Sequence, residues 1–209
     1  MPLDLTVYLV IGTQGAGRRT MRATVEAAVA GGVSAVQLRD KRASGRELLA
    51  LARELLDTLD GTGVPLLVND RLDVALAAGA HGVHLGQSDL DVRDARRLAG
   101  PGFLIGLSVS RAQEIAEVQA LPAGTVDYLG IGPVFPTSTK DDAADALGLD
   151  AVATLRTGTT LPCVGIGGIT QRNARSVWAT AMDGLAVVSA ICEAADPRAA
   201  TMVLKSSRP

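Results

Sequence analysis

Short apolar runs alternate regularly with longer amphipathic segments along almost the whole chain. Runs of this length, bounded by glycine, proline and polar residues, are typical of buried strands, and the segments between them have helical spacing. Eight runs are candidate strands: Val7–Ile11, Ala35–Leu38, Leu66–Val68, Gly82–Leu85, Leu104–Leu107, Tyr128–Ile131, Cys163–Ile166 and Gly184–Val188. Strand and helix in alternation, without a break in composition, predict a parallel sheet covered by helices.

Eight strand–helix units close naturally into a (β/α)8 TIM barrel. We predict one compact barrel domain of the α/β class over residues 1–209, a length near the low end for this fold. An open, doubly wound sheet is the alternative, because hydrophobic periodicity does not count strands exactly. No linker is apparent, since Gly61–Gly63 and Gly158–Thr160 look like helix-to-strand turns.

The clearest helix candidate is Ser44–Leu59, where apolar residues recur three and four positions apart and charged residues occupy the other side. Ser44 and Asp150 are predicted to be N-caps. Weaker helical patterns cover Arg93–Leu98, Arg111–Ala120, Asp150–Arg156, Gln171–Ala181 and Pro197–Leu204.

Charge and apolar content exclude several classes of partner. The net charge is −2 and no basic block is present, which argues against nucleic acid as a partner. No apolar run approaches the ~20 residues of a membrane span, and the first residues do not resemble a signal peptide. We expect a cytoplasmic protein with no membrane partner, and homo-oligomerisation stays open. Cys163 and Cys192 lack metal-type spacing and are predicted to be buried thiols.

The working residues of such barrels lie at the C-terminal ends of the strands and in the loops that follow. After the second strand, Gln37, Arg39 and Lys41 share one face of the extended chain at a spacing of roughly 6.6 Å. An amide and two cations would then point into the barrel mouth. The alternative is a helix-facing strand end with solvated charges.

Two carboxylates follow neighbouring strands. Asn69 and Asp70 come after the third strand, and Asp89 comes shortly after the fourth. Carboxylates with oxygen-rich neighbours and no His/Cys cluster suit Mg²⁺ shared with a phosphorylated ligand. The alternatives are a helix cap for Asp70 and a cap or turn for Asp89. For His84, within the fourth strand, the favoured interpretation is a hydrogen-bonded barrel histidine.

The later strand ends present hydroxyls and bare backbone. Ser108 closes the fifth strand, whereas Ser110 is more typical of a helix cap. The loop Gly132–Lys140 offers hydroxyls and one ammonium, which suit a phosphate or pyrophosphate, or else form a solvated turn. Gly167 and Gly168, after the seventh strand, allow a phosphate or ring to approach backbone N–H groups.

Other catalytic motifs are missing from the sequence. No Ser-His-Asp order and no lysine placed for a Schiff base are present. Gly12–Arg19 resembles a phosphate loop superficially but lacks its Gly-Lys-Ser/Thr ending.

Taken together, these segments resemble the thiamine phosphate synthase family, also called thiamine-phosphate pyrophosphorylases. The resemblance covers nearly the whole chain and rests on Tyr8-Leu9-Val10, Gln37 to Lys41, Asn69-Asp70-Arg71, His84 to Asp89, Gly132 to Lys140, Gly165 to Ile169 and Val187 to Ile191. It implies a (β/α)8 barrel and a transferase of thiamine biosynthesis. The implied substrates are 4-amino-5-hydroxymethyl-2-methylpyrimidine diphosphate and 4-methyl-5-(2-phosphoethyl)thiazole, and the products are thiamine phosphate and pyrophosphate.

In this family pyrophosphate departs ahead of attack by the thiazole nitrogen, so catalysis is mostly leaving-group stabilisation and positioning. The resemblance implies pyrophosphate contacts at Arg39, Lys41, Ser108 and Lys140, Mg²⁺ at Asp70 and Asp89, pyrimidine contacts at Gln37 and Asn69, and thiazole-phosphate contacts at Thr137 and Thr139, with Gly167, Gly168, Val188 and Ser189 nearby.

Three positions depart from the family's pattern. Asp40 replaces the commoner Glu, Gly12 stands where many relatives carry Asp, and Ser110 stands where many carry His. None of these removes a matched contact. Two alternatives stay open: a thiazole tautomerase-like relative, expected to lose the pyrophosphate and metal set, and a non-catalytic sensor of phosphorylated metabolites.

Overall fold

The computed structural model describes residues 3–13, 19–137 and 145–208. Eight strands lie in these ranges: β1 Val7–Ile11, β2 Ala35–Leu38, β3 Leu66–Asn69, β4 Gly82–Leu85, β5 Leu104–Val109, β6 Tyr128–Ile131, β7 Cys163–Ile166 and β8 Gly184–Val187. Each pairs in parallel with the next, and β8 pairs back with β1 through Leu185 and Val7. The predicted barrel is therefore confirmed, and the open sheet is wrong.

Helices follow the strands on the outside of the barrel. Their bounds are α1 Met21–Gly31, α2 Gly45–Leu59, α3 Leu72–Ala78, α4 Val92–Ala99, α5 Ala112–Gln119, α6 Gly148–Thr157, α7 Ala174–Trp178, α8 Ser189–Cys192 and α9 Pro197–Ser206. Helices α1 and α8 have no counterpart among the helices predicted from sequence, and α3 was implied only by the cap considered at Asp70, because alanine-rich or very short segments give little contrast between faces. Among the described residues, no helix combines the length and the apolar character that crossing a membrane requires.

The predicted N-caps have different outcomes. Ser44 caps α2 as predicted: its hydroxyl accepts from Glu47 N, and the Glu47 carboxylate accepts from Ser44 N (2.8 Å). Asp150 is not a cap, because α6 begins earlier, where Gly148 N donates to Val134 O (3.1 Å).

Ser110 is not the N-cap of α5 either, since that position is Arg111. The buried carboxylate of Glu114 accepts from Ser110 N (2.6 Å) and Arg111 N (3.1 Å). This side chain reaches back from the first turn and accepts from the N–H groups of the two residues that precede α5.

Alternating side chains divide the core into two layers. One layer fills the barrel interior and includes Tyr8, Leu67, Tyr128 and Val164. The other layer lies between the strands and the helices and includes Val36, Leu38, Leu66 and Val68. Both cysteines are buried free thiols, as predicted, and burial raises the pKa of each to about 12.

Candidate active site

Two predicted site residues, Gln37 and Asn69, lie near the C-terminal ends of the neighbouring strands β2 and β3. Val36 and Leu38 pack in the outer layer, so Gln37 between them points into the barrel, where it is buried. Strand register places Gln37 beside Leu67, and Asn69 beside His84. The two-residue period of a strand predicted this inward direction of Gln37, and the burial of its side chain confirms it.

A continuous chain of hydrogen bonds crosses the interior just below the barrel mouth. Gln37 Nε2 donates to Tyr8 Oη (2.9 Å), and Tyr8 Oη lies 2.8 Å from Tyr128 Oη. Tyr128 Oη lies 2.8 Å from His84 Nδ1, and His84 Nε2 lies 2.9 Å from Ser108 Oγ. We call these five residues the interior hydrogen-bond chain. It joins β2 to β5 and ends at a hydroxyl at the mouth.

Small residues make room for this chain. A Cβ on Gly106 would overlap the Tyr128 ring, and one on Gly130 would lie 3.1 Å from His84 Cε1. Tyr8 and Tyr128 meet edge to face, with ring centroids 5.9 Å apart. Two glycines on β5 and β6 are therefore part of the site's construction, since any side chain there would displace a ring.

Tyr8 and Tyr128 are site residues that the sequence did not predict, because both lie in runs typical of ordinary apolar strands. The alternation of side chains along a strand could have identified them, because every second residue faces the barrel interior, as Tyr8 and Val10 do on β1. For His84, the alternative of a hydrogen-bonded barrel histidine is the one the contacts support.

Asp70 and Asp89 come together at the mouth. Asp70 adopts a left-handed backbone (φ 61°) with its N–H donating to His84 O (2.8 Å), and its carboxyl group lies close enough to that of Asp89 to interact with it. Burial raises the pKa of Asp70 to about 6, and the neighbouring Asp89 carboxyl adds to the increase. Lys41 and Arg39 oppose it through their charge. Four predicted residues thus interact within one site.

The alternatives for these aspartates have mixed outcomes. Asp70 is not a cap, because the N-cap of α3 is Arg71 and no side chain bonds there. Asp89 does form a turn, with Oδ2 accepting from Gly86 N (2.7 Å), whereas α4 is capped by Asp91. Its turn role and its contact with Asp70 coexist. In the described ranges, no group of three or more His, Cys, Asp or Glu side chains forms a metal-binding cluster.

The loop after β6 packs against the turn after β7. Val134 N donates to Ile166 O (2.9 Å), and Phe135 N donates to Gly167 O (3.1 Å). Gly167 and Gly168 both have positive φ, and a Cβ on Gly168 would lie 2.6 Å from Pro136 O. Only glycine suits both the conformation and the close approach.

Thr137 is the last described residue of its loop and is half-buried, whereas the predicted Thr139 and Lys140 lie outside the described residues. Val188 and Ser189 open α8, which Gln171 Nε2 ties to the turn after β7 by donating to Ala190 O (2.8 Å).

Two of the three departures from the family's pattern have a structural basis. A Cβ on Gly12 would collide with Arg39 O, so this backbone has no room for the Asp of many relatives. The Asp40 carboxylate is held by the loops after β1 and β2, accepting from Thr13 N (3.1 Å) and Arg42 N (3.0 Å). The phosphate-loop resemblance falls largely on residues 14–18, outside the described residues.

The fold and the site define a class: a (β/α)8 barrel whose mouth combines cations, facing carboxyl groups and a buried amide, suited to an anionic small molecule. A family model described as thiamine monophosphate synthase matches residues 7–191. The chain belongs to the thiamine monophosphate synthase family.

Similar proteins align with this chain over nearly their full lengths. A thiamine-phosphate synthase of Azorhizobium caulinodans is 48% identical over 98% of this chain and 95% of that protein. One of Laribacter hongkongensis is 51% identical over 97% of this chain and 94% of that protein. The solved thiamine phosphate pyrophosphorylase of Pyrococcus furiosus superimposes with a TM-score of 0.87 at 35% identity, covering 99% of this chain and 96% of that one. A 3-hexulose-6-phosphate synthase, 16% identical with a TM-score of 0.68, shares the fold alone.

Proposed function

We propose that this chain is a thiamine phosphate synthase. It would join 4-amino-5-hydroxymethyl-2-methylpyrimidine diphosphate to 4-methyl-5-(2-phosphoethyl)thiazole and release pyrophosphate. Family membership supports the proposal. The observation that carries it is the position of the Asp70 and Asp89 carboxyl groups beside Arg39 and Lys41, at the same mouth as the Gln37 amide.

In this reaction the C–O bond between the pyrimidine methylene and the diphosphate breaks, and its electron pair leaves with pyrophosphate. The methylene carbocation, stabilised by the aminopyrimidine ring, is captured by the thiazole nitrogen. No general base is needed, because the attacking nitrogen carries no proton. The protein's task is then to stabilise growing negative charge on the leaving group and to align two rings.

Arg39, Lys41 and Ser108 are the described residues proposed to contact pyrophosphate, and Lys140 is proposed to join them. Two cations and a hydroxyl donate to phosphate oxygens without themselves reacting. Gln37 and Asn69 are proposed to bind the aminopyrimidine. Because Gln37 Nε2 already donates to Tyr8, its carbonyl oxygen is left to accept from the exocyclic amino group.

The thiazole phosphate is proposed to bind between the two packed loops. Thr137 and Thr139 would supply hydroxyls, and the backbone at Gly167, Gly168, Val188 and Ser189 would supply N–H groups. The hydrogen bonds from Val134 and Phe135 to the turn after β7 support this placement, because they hold both loops side by side.

We propose Mg²⁺ as the cofactor, held by Asp70 and Asp89. The donor set fits: Mg²⁺ is usually bound by one or two carboxylates together with substrate phosphates, and two carboxyl groups meet here. When bound, Mg²⁺ would neutralise charge on the diphosphate oxygens. The raised pKa of Asp70 supports this site, because two carboxyl groups this close repel each other when both are charged, and a bound cation would relieve that repulsion.

The direct test supplies purified protein with both phosphorylated precursors and Mg²⁺. We expect thiamine phosphate and pyrophosphate in equal amounts, and no product when Mg²⁺ is removed by a chelator. Binding of both precursors without turnover would favour the sensor. Isomerisation of a thiazole carboxylate phosphate, without use of the pyrimidine diphosphate, would favour the tautomerase-like alternative.

We also propose a cellular location and a domain organisation for the enzyme. Two buried free thiols suit a reducing compartment, which supports a cytoplasmic location. Residues 1–209 are proposed to work as one domain, because the barrel closes between β1 and β8 near the two ends of the chain.

A further inference from the structure

The interior hydrogen-bond chain links two parts of the proposed site that bind different halves of one substrate. Gln37 lies at the pyrimidine end, and Ser108 lies at the pyrophosphate end. Tyr8, Tyr128 and His84 connect them and have no place in the proposed chemistry. Every link in the chain is between 2.8 and 2.9 Å, so each oxygen or nitrogen must be either donor or acceptor to its neighbour.

The direction of these bonds follows from counting protons. Burial raises the pKa of Tyr8 to about 12 and that of Tyr128 well above its usual range, so both phenols keep their protons near neutral pH. Tyr8 Oη accepts from Gln37 Nε2, and its own proton needs an acceptor. Among the described residues, the only further partner of that hydroxyl is Tyr128 Oη. Tyr8 therefore donates to Tyr128.

The remaining links then follow in order. Tyr128 has one proton, and with its oxygen already accepting from Tyr8, that proton goes to His84 Nδ1. His84 is then neutral and protonated at Nε2, so it donates to Ser108 Oγ. The hydroxyl proton of Ser108 is left to point away from His84. A protonated or Nδ1–H imidazole would instead donate to Tyr128 Oη and leave the proton of one of the two buried tyrosines without an acceptor, which is costly.

We propose that Tyr8, Tyr128 and His84 are positioning residues, which hold the Ser108 hydroxyl as a donor toward the departing pyrophosphate. This inference rests on the proposed function. Turning the Gln37 amide over would reverse every link and leave Ser108 donating to His84, with only lone pairs facing the anion. An aminopyrimidine that donates to the Gln37 carbonyl oxygen selects the amide orientation in which Gln37 Nε2 faces Tyr8. Binding of the ring thereby sets the Ser108 hydroxyl as a donor at the pyrophosphate end.

The tautomer of His84 is the first test, and it is independent of activity. The chain has only two histidines, His81 and His84. Leu66 N donates to His81 Nδ1 (3.1 Å), so His81→Asn keeps an acceptor there and isolates the signals of His84. In ¹⁵N-detected histidine spectra near neutral pH, we expect Nε2 protonated and Nδ1 bare. A population mainly protonated at Nδ1 would overturn the inference.

Tyr128→Phe breaks the chain while keeping the ring that fills the space beside Gly106. We expect mixed His84 tautomers and a fall in kcat of roughly tenfold or more, below the 10²–10³ typical for losing a whole donor. The KM for the thiazole phosphate should not change. Tyr8→Phe should cost less, because Tyr128 still donates to His84. Wild-type kcat in Tyr128→Phe would contradict the inference.

A double-mutant cycle separates positioning from general damage to the fold. With Ser108→Ala already present, Tyr128→Phe should lower kcat by less than about twofold, because the hydroxyl it orients is gone. With Lys41→Ala as the matched background, Tyr128→Phe should keep its full effect. Equal losses in both backgrounds would overturn the inference. Full activity in Ser108→Ala, alongside the expected His84 tautomer, would instead overturn the role of Ser108 in the proposed function.

Discussion

Aspartates stand at both ends of this barrel, and their surroundings are opposite. The bottom aspartates, Asp127 and Asp183, directly precede β6 and β8. Asp127 Oδ2 accepts from Ile105 N (2.7 Å) and from Arg96 (2.8 Å). The mouth aspartates, Asp70 and Asp89, face each other, and the charges of Lys41 and Arg39 lower the pKa of Asp70.

The second bottom aspartate repeats the arrangement of the first. Asp183 Oδ2 accepts from Cys163 N (2.8 Å) and lies 3.1 Å from Arg156 Nη2. Each bottom carboxylate therefore ties the start of a neighbouring strand to a helix arginine, so its charge is matched within the protein. At the mouth, burial and the facing Asp89 carboxyl group outweigh the opposing charges of Lys41 and Arg39 on Asp70. The bottom pairs serve stability, whereas the mouth pair costs stability and serves function.

The largest expected effect is at the mouth. Asp70→Asn should reduce turnover by about 100-fold or more, because it removes a carboxylate from the proposed metal site. Asparagine tolerates the left-handed backbone at this position, so the loop should keep its shape. The measurement is kcat across a magnesium titration. Wild-type turnover at saturating Mg²⁺ would remove the proposed metal role.

The same variant should be more stable than the wild type when no metal is present. The pKa of Asp70 is about 6 in the folded protein, above its usual value of 3.8. Protonation of this group therefore favours folding below pH ~4, and that contribution is lost as pH rises through about 6. In thermal melts, Asp70→Asn should match the wild type near pH 4 and exceed it at pH 7. Mg²⁺ should raise the Tm of the wild type only.

At the bottom of the barrel the outcome should be reversed. Asp127→Asn removes the charge that pairs with Arg96, whose side chain is only 18% exposed. We expect the free energy of unfolding to fall by about 1–3 kcal/mol, with kcat unchanged in protein that remains folded. Urea denaturation measures the first quantity and the turnover assay the second. A large fall in kcat without loss of stability would break the comparison between the two ends.

Asp183→Asn should follow the same direction with a smaller effect. Its side chain is 41% exposed and its arginine pair is longer, so water screens more of the interaction. We expect a loss of about 1 kcal/mol or less in unfolding free energy. A loss larger than that of Asp127→Asn would show that exposure does not rank these pairs.

The sequence predicted the barrel and the inward direction of Gln37, because both follow from periods that are local in the chain. The Asp70–Asp89 meeting was also predictable, since successive parallel strands end at the same edge. The interior hydrogen-bond chain was not, because Tyr8 and Tyr128 are 120 residues apart and each sits in an ordinary apolar run. Asp150 was misplaced as a cap because the loop after β6, through Val134, fixes where α6 begins.

The smallest expected effect concerns the cations at the mouth. Lys41 lowers the pKa of Asp70 by its charge, ahead of Arg39, although burial and Asp89 outweigh both. Lys41→Met should therefore raise the titration midpoint of Asp70 above about 6, whereas Lys205→Met, on α9, should leave it unchanged. Carboxyl ¹³C shifts recorded against pH without metal would measure both. An unchanged or lower midpoint in Lys41→Met would mean that the Lys41 charge affects the pKa of Asp70 no more than charges on a solvated surface affect one another.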